Sequence, residues 1–156
     1  TLAGNGVSTT VQVSGGDVYI RNLTITEANY YGLTVVGGGT IHLDKVKVFE
    51  NPGGGIVIEN AGFEITNTTI DHNGTEGSAG GNGLVLQSIP ASGRPRSLTN
   101  TSVTNNTGSG IMCVLPSDTP SPASGILLSG NGTSVINCAF PSGATCTERG
   151  PMCGAP

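Results

Sequence analysis

The sequence has no tryptophan, only three tyrosines and three phenylalanines, and just 10% charged residues. Each scarcity excludes something. Six lysines and arginines are scattered from Arg21 to Arg149, so no basic stripe exists to follow a phosphate backbone, and nucleic acid is not an expected partner. No apolar run approaches the roughly 18 residues of a membrane span. Leu, Glu, Lys and Ala never recur at a 3.6-residue period over a long stretch, which removes helical classes. Few aromatic rings means few platforms for stacking sugars. No pattern calls for a cofactor or a metal. The chain opens at Thr1 without methionine and without a visible signal peptide, which reads as a mature form or a fragment.

What is present is glycine, 26 of 156 residues, together with many β-branched residues and a net charge of only −4. Disorder needs low hydrophobicity with high net charge, so this is an ordered β protein rich in turns. A unit recurs along it. A glycine followed by an alternating apolar strand reads GLTV from Gly32, GIVI from Gly55, GLVL from Gly83, GIMC from Gly110 and GILL from Gly125. Between these lies a second element: Val18 to Ile25, Ile41 to Val48, Phe63 to Ile70 and, more weakly, Arg96 to Val103. Its inward positions fall in register: Ile20, Leu43, Ile65 and Leu98, then Ile25, Val48, Ile70 and Val103. Polar residues such as Tyr19, His42 and Glu64 stand between them, the period-two alternation of strands.

A β-sandwich also has short strands and turns, but it has no reason to repeat its hydrophobic register unit after unit. A solenoid must, because equivalent side chains stack from coil to coil. The expected fold is therefore all-β, a parallel β-helix of about five coils. Val7, Val11 and Val13 before Gly15-Gly16 read as the preceding coil. Three excursions fall between strands as loops: Glu76 to Gly81, Ser88 to Pro95, and Pro116 to Pro122. The expected organisation is coils over 1–133 and a Cys-rich cap or docking segment over 134–156.

Asn51, Asn73 and Asn106 each follow the coil's apolar residue by three places. Stacked asparagine amides can hydrogen-bond along a solenoid axis, and asparagine tolerates left-handed turns. With this row in place, the units resemble the repeats of the right-handed parallel β-helix superfamily, the pectate-lyase-like proteins, over Val11 to Leu128. The pattern is similar to that of secreted and surface β-helix proteins of bacteria. The resemblance implies an extracellular setting. It also implies that an enzyme of this kind would be a polysaccharide lyase or glycoside hydrolase with clustered carboxylates on one outer face.

Projecting coil onto coil places Glu27, Glu50 and His72 in adjacent rows with Asp71 beside them. They are the best candidates for general acid–base chemistry, and Glu27 with Glu50 for a weak cation site. Asn105 occupies the next coil and no substrate-clamping arginine is near, so the row reads as the polar edge of a turn. Arg21 with Asp44, and His42 with Glu64, should form surface ion pairs. Thr24 stacks on Lys47 and Thr26 on Phe49, which rules out a flat ice-binding threonine face. The N-x-[ST] sequons at Asn22, Asn67, Asn73, Asn100, Asn105 and Asn131 belong to the coil repeat, with glycosylation the alternative. Tyr30 and Tyr31 form the one exposed-looking aromatic pair.

Cys113, Cys138, Cys146 and Cys153 are expected as two disulfides in an oxidising compartment. A zinc site fits worse, since no paired C-x2-C is present and His42 and His72 lie far upstream. Cys113 has inward strand parity, and Cys138 on the next coil is its favoured partner, though four cysteines permit three connectivities. No amphipathic helix caps the first coil. The expected function is a non-catalytic, extracellular or cell-surface structural protein whose coils self-associate end to end into filaments. The alternatives are a polysaccharide-binding or polysaccharide-cleaving domain, and an adhesion module that binds a protein through its loops.

Overall fold

Each short alternating run becomes a strand, and most strands end where one residue turns left-handed. The computed structural model describes residues 1–6, 8–75, 80–90 and 93–140. Val7, positions 76–79 of the first loop, positions 91–92 of the second, and Cys146 and Cys153 with the rest of 141–156 lie outside the described residues. The opening part-coil holds β1 (Leu2–Ala3) and β2 (Val11–Ser14). The next runs β3 (Asp17–Arg21), β4 (Thr24–Thr26) and β5 (Tyr31–Val36). Then come β6 (Thr40–Asp44), β7 (Lys47–Phe49) and β8 (Gly54–Glu59), followed by β9 (Gly62–Thr66), β10 (Thr69–Asp71) and β11 (Asn82–Gln87). The last two coils are β12 (Arg96–Thr99), β13 (Ser102–Thr104) and β14 (Ser109–Cys113), then β15 (Ala123–Ser124), β16 (Leu127–Ser129) and β17 (Thr133–Ile136).

These strands stack into three parallel sheets. Sheet A is β1-β4-β7-β10-β13-β16, sheet B is β2-β5-β8-β11-β14-β17, and sheet C is β3-β6-β9-β12-β15. The chain is therefore a parallel β-solenoid, with six rungs on two faces and five on the third among the described residues. Register follows the apolar rows. Ile20, Leu43, Ile65 and Leu98 align on sheet C. Ile25, Val48, Ile70, Val103 and Leu128 align on sheet A. Leu33, Ile56, Leu84, Ile111 and Val135 align on sheet B. From the second coil to the fourth these side chains have at most 1% of their surface exposed, each contributing about 1.5–3 kcal/mol of burial.

The GILL segment departs from expectation. It does not continue the glycine row: Leu127 and Leu128 form β16 on sheet A, opposite Ser102 and Val103. Thr133–Ile136 takes the sheet B place instead. The long loop over 116–122 had consumed the spacing that the repeat would otherwise show. β17 also carries the coils past position 133, so residues up to Ile136 belong to the stack.

The glycines of the repeat sit inside strands rather than at turns, and close packing is the reason. A Cβ on Gly32 would lie 2.7 Å from Asn51 Nδ2 and 2.8 Å from a Val48 methyl. One on Gly83 would lie 2.8 Å from Asn106 Nδ2. Each glycine makes room for an asparagine. Asn51, Asn73 and Asn106 form the expected ladder, fully buried. Asn51 Nδ2 donates to Asn73 Oδ1, Asn73 Nδ2 to Asn106 Oδ1, and Asn106 Nδ2 to Asn131 Oδ1, each at 2.9 Å. Every Oδ1 also accepts the backbone N–H of the preceding coil, from Ala28 N at 3.1 Å to Asn106 N at 3.0 Å. Asn131 is a fourth rung that sequence reasoning missed. Its signal is present in the sequence, three places after Leu128, but reading GILL as part of the glycine row hides it.

Corners follow one rule. The residue after each sheet C strand is left-handed: Asn22, Lys45, Asn67, Asn100 and Gly125, with φ of 52°, 56°, 49°, 46° and 62°. After sheet A strands the row is Glu27, Glu50, His72 and Asn105, with φ of 61°, 53°, 50° and 53°. Asparagine and glycine suit this conformation, and other L-residues occupy it at a cost.

Candidate functional site

Glu27, Glu50 and His72 do align in successive coils, as the projection anticipated, but they stand at the left-handed corner between sheets A and B. Both glutamates are exposed. Among the described residues, no hydrogen bond or ion pair joins either carboxylate to His72. His72 Nδ1 instead meets Asp71 Oδ2 at 2.8 Å. Asp71 Oδ1 accepts from Thr104 Oγ1 at 2.7 Å and from Asn105 Nδ2 at 3.0 Å. Burial opposes the charge on Asp71, yet these hydrogen bonds, together with the His72 charge, outweigh it and hold the carboxyl below its usual range. A general acid needs the opposite shift. Asp71 is built to stay ionised and to tie two coils together.

The better-formed cluster lies on the outer face of sheet C. Tyr19, His42 and Glu64 share one outward row in adjacent coils. The Tyr19 and His42 rings stack at 4.0 Å between centroids, 5° from parallel, and His42 Nδ1 meets Glu64 Oε2 at 2.7 Å. The expected His42–Glu64 pair therefore forms, and an exposed pair of this kind is worth a fraction of a kcal/mol. The next outward row holds Arg21, Asp44 and Thr66. Together the six residues line a shallow cleft of about 110 Å³. Arg21 and Asp44 are neighbours in register but form no ion pair, contrary to expectation. Asp44 Oδ1 is turned to the next coil, where it accepts from Asn67 Nδ2 at 2.9 Å, and Arg21 remains exposed.

The aromatic expectation is corrected too. Tyr30 is exposed, but Tyr31 keeps only 8% of its surface, because its ring fills the space that a side chain on Gly54 would occupy. Burial raises the Tyr31 pKa, with Tyr30 adding to the rise and a hydrogen bond with Asn82 opposing it. The strand aromatic that faces solvent is Tyr19, 63% exposed. Its outward parity in VYIRNLTI was the available signal. Thr24 does lie opposite Lys47, whose ammonium sits 4.1 Å above the Phe49 ring.

Two loops lock the corner between sheets B and C. Arg94 Nη1 donates to Gly39 O at 2.7 Å. The buried Asp118 carboxylate accepts from Ile89 N at 2.8 Å and Leu115 N at 3.0 Å. Cys113 on β14 and Cys138 just beyond β17 form a disulfide with a Cα–Cα distance of 5.1 Å. No described helix is long and apolar enough to cross a membrane. No match to a curated protein or to a solved structure was found. The model of the family described as the right handed beta helix region matches residues 5–119, the stretch that carries most of the stacked rows, the asparagine ladder from Asn51 to Asn106 and the sheet C cleft, and the chain belongs to that family.

Proposed function

We propose that this chain is a non-catalytic, extracellular structural solenoid that associates end to end. One observation carries the reading. Val11, Val18, Ile20 and Leu23 in the first coils are only partly buried, whereas the residues stacked on them, Leu33, Ile41, Leu43 and Val46, are at most 2% exposed. Coils bury one another's apolar rows, so any coil face that its own chain leaves uncovered is a template for another chain. The Cys113–Cys138 bond supports an oxidising, extracellular setting. The corner placement of Glu27 and Glu50, and an Asp71 carboxylate taken up by Thr104 and Asn105, support a structural use of this row. Sedimentation velocity across a hundredfold concentration range tests it. Assemblies should grow with concentration; a monomer throughout overturns the reading.

A second reading is favoured by the sheet C cleft, where an exposed Tyr19 ring lies beside Arg21, Asp44 and Glu64. A ring beside charged and hydroxyl groups suits a polysaccharide. Affinity electrophoresis in acidic polysaccharide gels should then show retardation that Tyr19→Ala removes, and shortened products would make the chain an enzyme.

A further inference from the structure

We propose that Asn100 is an acceptor site for an N-linked oligosaccharide, and that the fold withholds Asn73 and Asn131, two asparagines in the same sequon, from that modification. The inference takes from the reading above that the chain is exported, and it does not depend on how the coils associate.

Six N-x-[ST] sequons begin at Asn22, Asn67, Asn73, Asn100, Asn105 and Asn131. Transfer needs the side-chain amide nitrogen in the open. That nitrogen bonds to the anomeric carbon of a lipid-pyrophosphate-linked oligosaccharide. The bond from that carbon to the pyrophosphate oxygen breaks, lipid pyrophosphate leaves, and the nitrogen gives up one proton. The product is bulky and belongs on a surface. Coil stacking sorts the six sequons by this requirement.

Asn73 and Asn131 are rungs of the ladder. Asn73 has no exposed surface. Its Nδ2 donates to Val48 O and Asp71 O, each at 3.1 Å, and to Asn106 Oδ1 at 2.9 Å. Asn131 Nδ2 donates to Val103 O at 2.9 Å. A Cβ on Gly55 would stand 3.2 Å from Asn73 Nδ2, and one on Gly110 would stand 2.9 Å from Asn131 Nδ2. Where one added carbon is crowded, a sugar ring has no place. N-linking would also remove a hydrogen that the ladder uses.

The other four asparagines are exposed at left-handed corners. Asn67 Nδ2 is engaged by Asp44 and Asn105 Nδ2 by Asp71. Asn100 lies between the corners of Asn67 and Gly125. Its Oδ1 is turned toward Gly125, where a Cβ would stand 2.5 Å away. Its Nδ2 has no hydrogen-bond partner among the described residues. Ser102, which completes this sequon, stands on the outward side of β13, next to the buried Val103.

The full chain, produced through a glycosylating secretory pathway, tests both halves. Glycopeptide mass spectrometry of the secreted, disulfide-bonded protein should place a glycan on Asn100 and none on Asn73 or Asn131. Unfolded chains retained in the cell should carry glycans on Asn73 and Asn131 as well. Ser102→Ala removes the sequon but keeps the left-handed asparagine, and should lose the Asn100 glycan with circular dichroism unchanged. A secreted chain bare at Asn100 overturns the site. A glycan on Asn73 or Asn131 in the secreted fold overturns the withholding, and so does its absence from both positions in the retained chains. Sedimentation reads end-to-end association separately, so a monomeric chain leaves this inference standing.

Discussion

Ile65 on β9 and Ile20 on β3 are the same residue in the same inward row of sheet C, two coils apart. Ile65 has no exposed surface; Ile20 is only partly buried. β9 lies between β6 and β12, while β3 has a neighbour on one side. The asparagine corner repeats the contrast. Asn51, Asn73 and Asn106 are enclosed by the coils around them, whereas in the first full coil the position three places after Ile25 is Ala28, which supplies only its N–H to Asn51 Oδ1. In a solenoid burial is conferred by the adjoining coil, so identical local sequence has a different energetic weight at an end and in the middle.

The largest effect expected from this contrast is in the apolar row. Ile65→Ala removes a side chain from a fully packed interior and should cost about 4 kcal/mol. Ile20→Ala, measured at a concentration where the chain is monomeric, should cost about 1 kcal/mol, because its side chain is already partly in water. Chemical denaturation of both variants measures the difference. Equal losses would mean that the first coil is enclosed even in the monomer. If a second copy covers it, the cost of Ile20→Ala should grow with protein concentration, while that of Ile65→Ala should not.

The ladder gives the next largest difference. Asn73→Ala removes the acceptor of both Asn51 N–H groups and the donor to Asn106, Val48 and Asp71. Buried groups left unpaired cost about 1–3 kcal/mol each, so a loss of about 3 kcal/mol is expected. Asn131 is the last rung and is not fully enclosed, and Asn131→Ala should cost about half as much. Thermal unfolding of the two variants compares them directly. Equal losses would show that each rung acts alone and that the line of amides adds nothing to its members.

The fold was legible because a solenoid writes its register into sequence: Leu43 over Ile20 and Val48 over Ile25 are visible as spacing alone. The fourth rung at Asn131 was not, because the loop over 116–122 moves GILL off the glycine row, and a loop's length carries no information about which sheet follows it. The candidate site was less legible. Projection correctly stacked Glu27, Glu50 and His72, but stacking says nothing about backbone φ, and it is the left-handed corner that explains why polar residues recur there. The cleft around Tyr19 depended on which way Asp44 turns. Asn67 one coil away decides that, a choice between two neighbours that spacing does not rank.

The smallest expected effect separates backbone from side-chain use of that corner row. Glu50 holds φ at 53° with its side chain in solvent, while Asn105 holds the same φ at the same corner two coils on. Asparagine occupies the left-handed region more readily than glutamate. If the row serves the turn, Glu50→Asn should raise stability by about 0.5 kcal/mol and leave any polysaccharide retardation unchanged. The midpoint of urea unfolding, with an unchanged slope, measures the first, and the same affinity gels used for Tyr19→Ala measure the second. A gain in stability accompanied by lost retardation would mean that the glutamate is kept at this strained position for its carboxylate. The corner above Asp71 would then replace the sheet C cleft as the binding face.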